Sequence, residues 1–432
     1  TTVDERTGIW EVYAWKGSSE GELLWGQDGV AVTNSGIINM SPRISVLIDN
    51  SVIVSCTQDD SKVFIQRISS QGLILWDNGI LLEDDDNAMI SPQSAKYSDN
   101  SFLIQWIGQA PGWPIYSEIY LQKYSLDGES IWTEPSTVVE STVFPMGNWS
   151  QQLVVNQGYG SFSAWTQFSG NVQNAVAQFI SEEGNILWDN EIDFSSNSNH
   201  FRISPKVIVL EQSHNLIGVW KETNGSQSQR GIVAQKLDES GARMWNSDGV
   251  NIVELNSDYD YLDLSLVGFE EEAVAVYIEQ SVNMDSDIYA KRIGTEGDLI
   301  WDNEIAIVTN SQNSKSDLMI GHNQNTIFIS WSESGFIYAH ALREDGTLGA
   351  PDYEGCSNDE VDLWSECYNI EETTTLNLYY SDLSGEIPSE IGDLINLTHV
   401  NLWNNQLTGS IPPEIGNLAN LEILSIYNNQ LT

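Results

Sequence analysis

Apolar residues along this chain fall in short runs, rich in β-branched and aromatic types, that are broken by clusters of Gly, Asp, Asn and Ser. Ile288-Tyr289-Ala290-Lys291-Arg292 followed by Gly297-Asp298-Leu299-Ile300-Trp301 is one such pair. The pattern predicts a hairpin: a strand, a tight turn whose glycine takes positive φ, and a second strand carrying a buried Trp. The arrangement returns at Gly21…Trp25, Gly72…Trp76, Gly128…Trp132, Gly184…Trp188 and Gly241…Trp245, and Gly346 repeats it with Ala350 in the tryptophan's place. A second pair of strands recurs between these hairpins. Ser41-Pro42 leads to Val52-Ile53-Val54-Ser55-Cys56, Ser91-Pro92 to Trp106 and Ser204-Pro205 to Trp220, with weaker copies before Trp165, Tyr277 and Trp331. The prolines are expected at strand starts, where a missing N–H harms the ladder least.

Four strands in each unit of roughly fifty to fifty-seven residues predict a β-propeller. A four-stranded blade that is apolar on both faces must pack against its neighbours, and the recurring indoles suit the space between blades. Seven Gly-turn hairpins against six Pro-led ones favour seven blades over six. The pattern changes after residue 350. Residues 351–373 are acidic and hold Cys356, Trp364 and Cys367, and a twenty-four-residue period begins at Leu376-Asn377-Leu378. It continues through Leu383-Ser384-Gly385-Glu386-Ile387-Pro388 and Ile391-Gly392, repeats from Val400, and stops within a third copy at Leu431-Thr432. This is a leucine-rich repeat. The expected organisation is a mainly β chain: a propeller over 1–350, an acidic linker and cap over 351–373, and a short α/β solenoid over 374–432. Asn405 and Asn429 are placed to satisfy backbone groups at the strand-to-loop corner, with Ser381 in that role in the first copy.

Two resemblances follow from these residues. Asp287-Ile288-Tyr289-Ala290-Lys291-Arg292-Ile293 and Trp245…Gly249-Val250-Asn251-Ile252-Val253 resemble repeats of large secreted bacterial surface proteins, which implies a propeller and export. The Leu-x-Gly-x-Ile-Pro-x-x-Ile-Gly form is similar to plant-type leucine-rich repeats, and the Trp364…Cys367 segment to the caps that precede them. With no initial Met and an array that stops mid-repeat, a longer natural protein is expected.

Charge narrows the function classes. Seventeen Lys plus Arg against sixty-two Asp plus Glu give a net −45, and residues 351–432 contain no Lys or Arg. Such a surface repels phosphate backbones and anionic membranes, so neither nucleic acid nor membrane insertion is expected. Solubility in a salty or extracellular setting is the simple explanation, and attraction of a basic partner or divalent cation is the alternative. Cys56 lies in an apolar strand at a position where other units carry Trp or Tyr, which predicts a buried apolar substitute. Cys356 and Cys367 are a disulfide candidate if the protein is exported.

Candidate chemistry is sparse. The five histidines form no His-Glu-x-x-His set, and no Gly-x-Ser-x-Gly elbow or phosphate loop occurs. The acidic stretches Asp84-Asp85-Asp86, Asp258…Asp263 and Asp285…Asp287 lack EF-hand spacing, so solvated loops are expected; calcium is the one cofactor to consider, and no other is expected. Trp-Asp-Asn at Trp76, Trp188 and Trp301 reads as an Asx turn after the indole. Tyr379, Trp403 and Tyr427 should stack in one column on the repeat's concave face, beside Asn377 and Asn401, and could grip a sugar ring or a protein loop. The sequence thus predicts a non-catalytic extracellular or cell-surface binding protein that recognises a protein or polysaccharide. The alternatives are a glycan hydrolase or lyase in the propeller channel, with carboxylates such as Asp258 and Asp260, or a spacer in a long adhesin. No feature fixes an oligomeric state.

Overall fold

The computed structural model describes residues 1–432 except 7, 17–22, 35, 113–115, 143–150, 170–171, 211, 270, 302–303, 309–312, 324–325, 335, 350–359, 365 and 380–382. Gly21, Ala350, Cys356 and Ser381, and with them the disulfide candidate, fall outside the described residues, as does the side chain of Cys367. Contacts divide the chain into two compact units, residues 1–320 with 330–338, and residues 321–329 with 339–432.

Seven antiparallel sheets follow one another and make a seven-bladed β-propeller: sheet I over 2–31, II over 39–82, III over 88–142, IV over 151–193, V over 201–256, VI over 259–308 and VII over 315–349. Each is a simple up-and-down meander of four strands, except sheet I with three among the described residues. The first strands of sheets II to VI touch in succession, Asn39–Val46 against Ala88–Ser98 and onward to Tyr259–Phe269, so they are the innermost strands. The apolar cores lie between successive sheets, as the alternation requires. Phe162, Ala164 and Trp188 of sheet IV meet Val207, Leu216 and Trp220 of sheet V; Ile217, Val219 and Ile232 of sheet V meet Tyr261, Leu264 and Tyr277 of sheet VI.

The turns form as expected. Gly72, Gly128, Gly184, Gly241, Gly297 and Gly346 all hold φ between +83° and +88°, and Gly72 N–H closes the turn on Ser69 O at 3.0 Å. The tryptophans that follow join neighbouring sheets. The Trp25, Trp132, Trp188 and Trp245 indole N–H groups donate to Ser70, Glu182, Glu239 and Thr295 O, at 3.1, 3.2, 2.9 and 3.1 Å, in the glycine turn of the next sheet. A Cβ on Gly184 would stand 3.0 Å from the Trp132 ring, so the indole's approach and the turn both require glycine. Trp188 is buried; Trp25, Trp76, Trp132 and Trp245 are half-buried, each resting on the glycine turn of the next sheet, and Trp301 is half-buried too.

Three details differ from expectation. Pro42, Pro92 and Pro205 sit within their strands, each after a serine with φ of +52° to +55° where the pairing register shifts. A β-bulge leaves a residue out of the ladder, so the missing N–H is tolerated there. Asp77 and Asp189 form no Asx turn among the described residues; Gly79 N–H closes on Trp76 O instead, at 3.3 Å. Gln66, Gln122 and Gln178 hold the carbonyls of Trp76, Trp132 and Trp188 at 3.0, 3.2 and 3.1 Å.

In the second unit, the strands Thr375–Asn377, His399–Asn401 and Ile423–Ser425 pair in parallel, with Leu376, Val400 and Leu424 in register. Between them run 3₁₀ helices, Ser389–Asp393 and Pro413–Asn417, where α-helix was expected; each follows a proline in extended conformation, and five residues are too few for a nucleated α-helix. Asn405 Nδ2 donates to Leu378 and Leu402 O at 2.7 and 2.9 Å while its Oδ1 accepts Leu383 N–H at 3.0 Å, and Asn429 repeats the pattern.

Candidate functional site

Sheet VI carries the densest group of ionisable side chains. Its strands Tyr259–Phe269, Glu272–Ser281 and Ser286–Ile293 pair so that Tyr261, Glu279 and Asp287 lie in one cross-strand row and Tyr277 opposes Tyr289 in the next. Period-two alternation puts all five on one face, the face packed against sheet V. Glu304, just before the fourth strand, completes the group. The site is therefore at the junction of two blades.

The local cause is one substitution in the repeat. In sheets IV, V and VII, the residue in the place of Tyr277 is Trp165, Trp220 or Trp331, and its indole N–H donates to the side chain two residues on: Gln167 at 3.1 Å, Glu222 at 2.8 Å, Glu333 at 3.3 Å. Tyr277 sends its phenol proton to Glu304 instead, at 2.9 Å. Glu279 thus lacks the indole its equivalents have and faces Tyr261. Burial pushes the Glu279 carboxyl up to about 7, the nearby Glu304 and Asp287 carboxylates push the same way, and the Tyr261 hydrogen bond and Lys291 oppose them. Burial also drives the Tyr277 and Tyr261 phenols well above their ordinary range.

The rest of the group is oriented. Asn256 Nδ2 of sheet V donates to the Tyr261 hydroxyl at 2.8 Å. Lys291 Nζ donates to Ile252 O at 2.8 Å and pairs with Glu304 at 3.6 Å. The Tyr289 hydroxyl donates to Asp287 Oδ2 at 3.4 Å, while Asp287 Oδ1 is buried without a hydrogen-bond partner among the described residues. Chemically, this is a carboxyl that shares its proton with solvent near neutrality, beside a second carboxylate steered by a phenol and an ammonium. It can act as a general acid.

Of the carboxylates singled out from the sequence, Asp287 belongs to this group, in a strand with Oδ1 buried where a solvated loop was expected; Asp258, Asp260 and Asp84 are elsewhere. Asp258 and Asp260 are exposed, Asp260 pairing with Arg230 at 3.4 Å. Asp84 accepts the N–H groups of Asp86 and Asn87 at 2.8 and 3.2 Å, an ordinary surface turn. Among the described residues, no three His, Cys, Asp or Glu side chains converge as metal ligands. Cys56 is fully buried, and burial raises its thiol to about 12. On the repeat unit, Tyr379, Trp403 and Tyr427 stack at 5.2 and 5.3 Å between ring centres, within 10° of parallel, and Asn401 Nδ2 donates to Asn377 Oδ1 at 3.0 Å. Tyr379 and Tyr427 remain 45% and 58% exposed, so the column presents open edges to solvent.

Comparison with known proteins sets this geometry in context. A family model described as leucine-rich repeats (2 copies) matches residues 395–432. No curated protein matches the sequence. Among solved structures, the BP39L lectin from Burkholderia pseudomallei is similar at TM-score 0.51 with 10% identity, over 80% of this chain and 92% of that one. An α-L-arabinanase from Penicillium chrysogenum is similar at 0.44 with 13% identity, over 78% and 99%. The polysaccharide lyase Uly1 is similar at 0.43 with 8% identity, over 80% and 90%. At these identities the likeness is one of fold. The expectation of a chain without catalysis is nevertheless corrected: enzymes stand among the similar structures, and the Glu279 group is of the acid–base kind. Contiguous motifs could not reveal it, since its members come from four segments of sheet VI and one of sheet V. The one signal in the sequence was the exchange of Trp for Tyr at 277 two residues before a Glu.

Proposed function

We propose that this chain recognises and cleaves a polysaccharide outside the cell, with Glu279 as the proton donor. The observation that carries this reading is the row of side chains on sheet VI. Breaking a glycosidic bond calls for a carboxylic acid that keeps its proton at working pH and a second carboxylate that activates water. Glu279 has the environment for the first role. Glu304, steered by Tyr277 and Lys291, has the setting for the second. A carbohydrate ligand is in keeping with the lectin that shares the fold, and a location outside the cell with the net charge of −45.

The test is release of reducing ends from neutral polysaccharides between about pH 5 and 8. Activity should fall above about pH 7 as Glu279 loses its proton. Glu279→Gln should lose on the order of 10²-fold or more. A variant as active as the parent, or a parent that cleaves nothing in a broad panel, would refute the reading.

A second surface is favoured by the aromatic column of the repeat unit, whose open ring edges beside Asn377 and Asn401 suit a polysaccharide or an extracellular protein. Tyr379→Ala with Trp403→Ala should weaken binding without changing cleavage of a short substrate. Unchanged affinity would remove this surface from the account.

A further inference from the structure

The Trp188-Asp189-Asn190 segment has a feature that the Glu279 group does not use. Two cavities, of about 490 and 450 Å³, share Asp189 and Asn190 as lining. Each falls within the roughly 300–1,000 Å³ of small-molecule sites. The segment between them is fixed. Gln178 holds the Trp188 carbonyl at 3.1 Å, and the Trp188 indole N–H is anchored on Glu239 O at 2.9 Å. Phe179, stacked on Phe162 at 4.4 Å, is part of the first cavity's lining. Asp189 and Asn190 are exposed, and among the described residues neither side chain makes a hydrogen bond. A carboxylate and an amide are therefore available on a rigid ridge, with a cavity on either side.

The linings are of two kinds. The first cavity is lined by Glu239 and Ser240, by the largely buried Phe179 and Trp188 rings, and by Leu187, 48% exposed. The second is more polar, with Gln167 held on Glu191 at 2.7 Å, and it includes Phe168, whose ring is 40% exposed. Aromatic carbon beside hydroxyl, amide and carboxylate acceptors is the chemistry that meets a sugar ring: C–H groups on the ring face, hydroxyls at the rim. No Lys or Arg lines either cavity, while Asp189, Glu191 and Glu239 do. A uronate would meet three like charges and no counter-ion.

We infer that the Asp189–Asn190 ridge and its two flanking cavities form a binding subsite for successive units of a neutral oligosaccharide. The inference rests on the carbohydrate part of the proposed function and adds a second site, in sheets III to V, that holds chain and cleaves nothing.

The experiment is calorimetric titration of the whole protein with neutral hexamers of xylose, glucose and arabinose, and with the galacturonate hexamer, at about 0.15 M salt. At least one neutral hexamer should bind, and the galacturonate hexamer should not. D189A/N190A should weaken binding about tenfold, the scale of one or two lost hydrogen bonds, and Phe168→Ala by a similar factor through its lost ring contact, each with the unfolding transition unchanged. Binding by D189A/N190A equal to the parent's, equal affinity for the galacturonate hexamer, or no neutral hexamer bound would overturn the inference. The two readings separate: binding lost in D189A/N190A with no cleavage by the parent sinks only the cleavage, and cleavage with binding indifferent to D189A/N190A sinks only the subsite.

Discussion

Replacing Glu279 by Gln should remove a pH dependence from folding stability. The carboxyl's value rises from 4.5 to about 7 on folding, through burial first and neighbouring carboxylates second. The native protein therefore holds this proton more tightly than the unfolded chain does. Between those two values it binds more protons, so stability falls as pH rises: the contribution is full below about 4.5 and gone above about 7. Full burial would make the rise worth about 3 kcal/mol, but Glu279 is only half buried, and solvent screening brings the expectation to about 1–2 kcal/mol. Gln keeps the shape and cannot titrate. Urea unfolding of parent and variant at several values between about pH 4.5 and 8 should show the parent losing that amount relative to the variant, with the change centred at about pH 6 and complete just above about 7. Carboxylates remote from residue 279 contribute alike to both proteins and cancel. Curves that stay parallel across the whole range would refute the burial argument, and with it the assignment of Glu279 as an acid at neutral pH.

Three further outcomes follow from the packing. Gly184→Ala puts a side chain at φ +88° and 3.0 Å from the Trp132 ring; the left-handed conformation alone costs about 1–2 kcal/mol, so urea unfolding should show at least that loss, and a change within error would mean that the turn does not constrain the junction. Cys56, buried with its thiol raised to about 12, should resist iodoacetamide in the native protein and react in denaturant, as peptide mass mapping would show; native labelling would place it at the surface. Asn405→Ala strands the carbonyls of Leu378 and Leu402 and the Leu383 N–H, at about 1–3 kcal/mol per unsatisfied buried group; the repeat unit should unfold at lower denaturant while Cys56 protection is unchanged.

Periodicity made most of the fold legible. The glycine turns, seven units and asparagine ladder are local devices, each needing residues within a few positions of one another, and each recurs. What the period hid was whatever depends on the neighbouring unit. Trp25, Trp132 and Trp245 stay half-buried because their partners are turns of the next sheet, some fifty residues away. The glutamines at 66, 122, 178 and 235 recur at the tryptophans' interval, and each donates to main chain some ten residues on, inside the blade. The catalytic expectation failed for the same reason. A search for contiguous motifs does not detect Tyr261, Glu279, Asp287 and Glu304, which meet only when four segments pair.

The way to find such a site in a repeat protein is to look for the unit that departs from the others, and here the departure can be reversed. Tyr277→Trp would restore the residue that sheets IV, V and VII carry. Its indole N–H should then donate to Glu279 as Trp220 donates to Glu222 at 2.8 Å. A hydrogen bond to the charged form favours that form, so the Glu279 carboxyl should fall from about 7 back toward its ordinary value. Two things oppose this. The larger ring overpacks a fully buried position, at about 1–3 kcal/mol, and Glu304 loses the Tyr277 hydroxyl, which accounts for part of its orientation. Neither adds a donor to Glu279, so the direction stands. Carbon-detected NMR of the glutamate carboxyls would follow the titration directly in parent and variant. A Glu279 midpoint that stays near 7 with Trp in place would mean that burial and the neighbouring carboxylates set it, and that the exchange of Trp for Tyr at 277 has no part in making the acid.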